Sequence, residues 1–114
     1  MKQRITKVLV QRVCDKLDKA VEQNVPWTWG TFFDEDDESY CAVGLLTQWD
    51  GELFSADELY TYVVTCPHDA CQKFIYRGPL DDYLIHLNDA HKMKFADISA
   101  HLKQQFNLKA KKAA

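Results

Sequence analysis

A chain of 114 residues and 13.2 kDa has room for one compact domain, or one small domain with a tail. With 46% hydrophobic and 12% aromatic residues against only 4 Gly and 3 Pro, it falls outside the disordered, collagen-like and low-complexity classes. Net charge is −3, yet between Lys19 and Lys73 there are eleven acids and not one Lys or Arg, so an acidic middle is flanked by basic ends.

The amino-terminal MKQRITKVLVQR interleaves charges with apolar residues, and no apolar run approaches about 18 residues. Neither a signal core nor a membrane span is expected, which places the chain in the cytoplasm. From Arg4 to Gln23, Ile5, Val8, Leu9, Val13, Leu17, Ala20 and Val21 recur at three- and four-residue steps, the pattern of an amphipathic helix. Pro26 stops it, and Pro26 to Phe33 reads as a loop or short strand in which Trp27 and Trp29 close one end of the core.

Asp34, Glu35, Asp36, Asp37 and Glu38 are adjacent carboxylates that repel one another, so a solvated loop is expected there. That loop either solubilises the surface or docks onto a basic partner, because complementary fields speed encounter. Tyr40 to Trp49 is almost continuously apolar and reads as a buried helix, with Gly44 allowing close backbone approach. Ser55-Ala56-Asp57-Glu58 has the form of a capping box, and Leu59, Tyr62 and Val63 follow at helical spacing, although Tyr60 to Thr65 also suits a strand. Leu80, Leu84, Leu87 and His91 share one helical stripe, and Phe95, Ile98, Leu102 and Phe106 share another. The expected architecture is α+β and mainly helical: one domain over residues 1–106, a short strand or ribbon near 60–77, and a basic, flexible tail over 107–114 carrying Lys109, Lys111 and Lys112.

Four cysteines in a chain of this kind favour reduced thiols or a metal site over a disulfide framework. Cys66, Cys71, His86 and His91 read as C-x4-C-x14-H-x4-H, donors that suit a tetrahedral zinc ion. This segment resembles a two-cysteine, two-histidine zinc finger, with a linker between the pairs longer than the usual twelve or so residues. His86 and His91 lie about 140° apart around an ideal helix, so they meet at one metal only if the helix bends, tightens or ends between them. His68 competes as a ligand. The alternative leaves Cys66 and Cys71 as small buried hydrophobes and His86 as a hydrogen-bonded histidine. Cys14 and Cys41 read as packing residues, and His101 as an exposed or packing residue.

A second resemblance spans most of residues 4–106. Trp27-x-x-Gly30, then Cys41-x-x-Gly44-Leu45-Leu46, then Leu87-Asn88-Asp89 before a terminal helix is similar to a loosely defined family of small bacteriophage-type proteins. It implies a phage origin, and hence host cytoplasm, and a mainly helical fold; no enzymatic activity comes with it. Asn88 or Asp89 is suited to accept hydrogen bonds from free amides at a turn or helix start.

The chain lacks a nucleophile elbow, a phosphate-cradling glycine loop and the zinc-protease and deaminase signatures, so binding is expected instead of catalysis. The expected function is a protein-interaction module that uses its acidic surface to bind and modulate a host protein, as an inhibitor of a host enzyme or defence system. The alternative is a zinc-finger-like nucleic-acid binder or regulator, favoured by Lys92, Lys94 and the basic tail and opposed by Asp81, Asp82, Asp89 and a pI of 5.7. Exposed aromatic residues would also suit a homodimer.

Overall fold

The long amphipathic stripe forms α1 (Lys7–Glu22) in the computed structural model, which describes residues 3–4, 7–51, 53–60, 62–65 and 77–108. Leu9, Val10, Val13, Cys14, Leu17 and Ala20 face the core, whereas Val8 and Val21 are 71% and 42% exposed. The stripe is therefore rotated from the one expected, with Cys14 inside it and the two valines at its edges. Asn24 ends the helix in a left-handed turn (φ 55°), where Asn24 N–H reaches the Val21 carbonyl and Val25 N–H the Ala20 carbonyl.

A short hairpin, β2 (Phe33–Asp34) and β3 (Ser39–Tyr40), follows, preceded by β1 (Gln3–Arg4) at the amino end. Next come α2 (Ala42–Gln48) and α3 (Ala56–Tyr60), the latter begun by Ser55 Oγ accepting from Glu58 N–H at 3.0 Å. The Glu58 carboxylate does not close the box; it pairs instead with Arg12 on α1. Tyr62 and Val63 leave the helical register and enter β4 (Tyr62–Thr65), as their β-branched and aromatic run allows. β4 runs parallel to β1 and antiparallel to β5 (Arg77–Pro79), in the sheet order β1-β4-β5. β5 leads directly into α4 (Leu80–Ile85), a π-helical turn (His86–Ala90) and α5 (Phe95–Gln105).

One core joins these elements: Leu17 from α1, Leu45 and Leu46 from α2, Leu59 from α3, Leu80, Tyr83, Leu84 and Leu87 from α4 and the π turn, and Ile98 and Leu102 from α5. The fold is a mainly helical α+β domain, and each of these leucines contributes about 2–5 kcal/mol relative to alanine. α1 and α5 are also joined by Asp18, which accepts from Ser99 Oγ at 2.6 Å and from Lys103 Nζ at 2.7 Å. Past α5, Asn107 and Leu108 close the helix through bonds to the Gln104 and Lys103 carbonyls, and Leu108 packs against the core. Tail residues 109–114 lie outside the described residues.

Candidate functional site

Pro79 precedes α4 with φ −57°, already helical in that angle, and Asp81 and Asp82 fill the first turn, where the helix dipole favours them. The ladder then widens: His91 N–H bonds the His86 carbonyl at 3.3 Å, five residues back, and Met93 N–H reaches Leu87 at 3.1 Å. An i→i+5 turn places residues five apart almost above one another, so widening of the helix brings the two histidines together. Their Nε2 atoms are 3.0 Å apart and their rings stand edge to face, with centroids 4.7 Å apart. Two nitrogens on tetrahedral zinc, each at about 2.0–2.1 Å, are held roughly 3.3 Å apart. The pair stands at hydrogen-bonding distance, one ring nitrogen donating and the other accepting.

Cys66, Cys71 and the competing ligand His68 lie outside the described residues. The residues that flank their segment are described: Thr65, the last of β4, pairs with Arg77, the first of β5. In chain order the described elements give β4, β5, α4 and then the two histidines, with the two cysteines falling in the sequence between β4 and β5. Among the described residues alone, no cluster of three or more His, Cys, Asp or Glu side chains could hold a metal.

The same turn that pairs the histidines sends Asn88 inward, where it is fully buried. Its Oδ1 accepts from Trp27 Nε1 at 2.7 Å and from the amide of Ala42 at 3.0 Å. Its Nδ2 donates to the Thr28 carbonyl at 3.0 Å and to Asp89 Oδ1 at 2.8 Å. Both acceptor and both donor positions of the amide are thereby used. Ala42 is the first residue of α2, so Asn88 performs the helix-start task read for it from the sequence. Cys41 caps the same helix, its Sγ accepting from Gly44 N–H at 3.4 Å. Gly44 touches the preceding loop so closely that a Cβ there would overlap the Phe32 carbonyl. Trp27, Cys41, Gly44 and Asn88, dispersed in sequence, thus form one junction.

Of the two tryptophans expected to close the core, only Trp27 does so. Trp29 is 56% exposed, and its ring carries Lys92 Nζ at 3.3 Å from the centroid. The acidic run forms the tip of the β2–β3 hairpin, with residues 35–38 exposed and Asp34 Oδ1 accepting from the amide of Asp36. Asp18, Asp50 and Glu58 pair with Lys103, Lys19 and Arg12, whereas no ion pair among the described residues involves 34–38.

Cys14 and Cys41 are buried packing thiols. Burial pushes the Cys14 thiol up to about 11 and also raises that of Cys41, so both stay protonated and poorly nucleophilic at neutral pH. His101 exceeds its sequence reading: its Nε2 lies 2.8 Å from Tyr83 Oη, which donates to Gln105 Oε1 at 2.6 Å. A tyrosine hydroxyl buried among leucines needs such partners, which sequence spacing on two separate helices does not reveal. No helix among the described residues is long and apolar enough to cross a membrane. Comparison with protein-family models, with curated proteins and with solved structures returned no match.

Proposed function

We propose that this chain is a zinc-stapled protein-binding module. The observation that carries the reading is the 3.0 Å approach of His86 Nε2 to His91 Nε2 on a π-helical turn, directly after a ladder whose connection holds Cys66 and Cys71. Zinc would be held by the two thiolates and the two imidazoles. A closed four-ligand site stabilises a fold and leaves no coordination position for substrate, which favours binding over catalysis. Elemental mass spectrometry on untagged protein should find about one zinc per chain, lost in Cys66→Ser/Cys71→Ser, and cobalt substitution should give the intense visible bands of a tetrahedral site. Protein refolded with excess zinc that still carries none would overturn the staple.

The partner this surface fits is a basic protein, a host protein if the phage resemblance reflects origin. In a nucleic-acid-reading finger the helix offers cations to phosphate. Here Asp81, Asp82 and Asp89 occupy that helix outside its buried face, and Lys92 is engaged by Trp29. The hairpin tip adds five carboxylates without a cation partner among the described residues. Binding to an immobilised lysine- and arginine-rich peptide should weaken steeply with salt and fall when Asp34 to Glu38 are changed to their amides. A salt-sensitive shift of duplex DNA, with no peptide binding, would replace this reading with the nucleic-acid one.

A further inference from the structure

We infer that a cavity beside the π turn is a subsite for one lysine or arginine side chain of a basic protein partner. It has a volume of about 380 Å³ and is lined by Gly30, Thr31, Phe32, Cys41, Ile85 and Asp89. Ile85 and Asp89 stand four residues apart and share the helix side that faces the Phe32 loop, while His86 and His91 point elsewhere and Leu87 and Asn88 enter the core. One helical segment thereby serves three purposes: metal, core and cavity.

Phe32, Cys41 and Ile85 give it apolar wall, and Asp89 is the one charged residue in its lining. Phe32 is 51% exposed, and its carbonyl accepts from Cys41 N–H at 3.2 Å, so the backbone that carries the ring is tied to the start of α2. The Asp89 carboxylate is half-buried and accepts from Asn88 Nδ2, and no Lys or Arg among the described residues pairs with it. Its charge is felt inside the site, where it adds to burial in holding the Cys41 thiol up. A half-buried carboxylate facing an apolar chamber is complemented by a side chain with an aliphatic stem and a cationic head, the stem against Phe32 and Ile85 and the head at Asp89. Anions are repelled, and a neutral apolar ligand would leave the carboxylate desolvated without compensation. Phe33 and Asp34 follow Phe32 directly in β2, so the cavity adjoins the strand that leads to the acidic hairpin tip.

This subsite rests on the reading of the chain as a binder of basic proteins, and its test separates the two. Nitrogen-15 NMR of the full chain is followed during titration with N-acetyl-arginine amide, N-acetyl-lysine amide and the uncharged isostere N-acetyl-norleucine amide. The cationic amides should shift Thr31, Phe32, Ile85 and Asp89 saturably, and the norleucine amide should not. Asp89→Asn keeps an acceptor for Asn88 while removing the charge; it should abolish these shifts and weaken the basic peptide about tenfold, the worth of one charge-assisted hydrogen bond. Ile85→Lys, which brings its own ammonium to Asp89 one turn away, should block the cavity in a chain whose spectrum remains dispersed. The amidated hairpin variant should keep the cavity shifts. Cationic amides that leave these four residues unmoved, or an Asp89→Asn chain that binds as the parent does, would overturn the subsite. Peptide binding that still depends on Asp34 to Glu38 would then leave the broader reading standing.

Discussion

Trp27 donates its indole N–H to Asn88 Oδ1 at 2.7 Å across 61 positions of sequence, and the same oxygen accepts the first amide of α2. A loop, a helix start and the π turn thus depend on one buried side-chain amide. Because the π turn also pairs the histidines, that amide sits between the core and the proposed metal site.

Replacing Asn88 should therefore be costly. Asn88→Ala leaves the Trp27 N–H, the Ala42 amide and the Thr28 carbonyl without their partner, for a loss of about 3 kcal/mol or more. Asn88→Asp keeps the acceptor but turns a carboxylate oxygen toward the Thr28 carbonyl and should cost a similar amount. Urea unfolding measures both, as a lower midpoint at unchanged slope.

The two tryptophans should respond differently to truncation. Trp27→Ala removes packing and a hydrogen bond together and should cost about 3–5 kcal/mol. Trp29→Ala removes an exposed ring and its contact with Lys92, worth less than about 1 kcal/mol. Equal losses in thermal unfolding would contradict the placement of the two rings.

Gly44→Ala sets helix propensity against space. Alanine gains about 1 kcal/mol over glycine within a helix. The overlap with the Phe32 carbonyl, a backbone atom tied to Cys41 N–H, should outweigh that gain and leave a net loss of about 2 kcal/mol. A raised melting temperature would show that the loop yields.

Cys14 links stability to alkaline pH. Its thiol rises from 9.0 to about 11 in the fold because burial disfavours the thiolate, so the folded chain holds the proton more tightly than the unfolded one. The resulting stability is complete below the unfolded value and is lost as pH rises from about 9 through 11. Between those limits the parent should lose stability more steeply than Cys14→Ala, whose constant cavity cost cancels from the slope. Thiol labelling at pH 8 should leave Cys14 unmodified until the chain unfolds.

Much of the fold follows from spacing along the chain. The apolar periods of α1 and α5, the run that becomes α2, the Ser55 cap and the solvated acidic turn are local features, and each is built from residues within a few positions of one another. The order of the proposed ligands Cys66, Cys71, His86 and His91 is also linear information. Local pattern fails at the edges, where Val8 and Val21 fit the helical period yet lie exposed, and where Tyr62 and Val63 continue a helical spacing but are drawn into ladders with β1 and β5.

Only the tertiary structure decides what the segment after Leu80 does. A five-residue gap between histidines places them apart on a regular helix, and nothing in the spacing announces that the ladder widens there. Once it does, His86 and His91 converge, Asn88 turns inward to a loop, a helix start and an indole distant in sequence, and Asp89 is left beside Ile85 on a cavity whose other lining residues are more than forty positions away. Chain periodicity determines which faces are apolar, because burial repeats with the helix. Which polar groups meet depends on how those faces pack, since a hydrogen bond is specified by two partners and the sequence lists each of them alone.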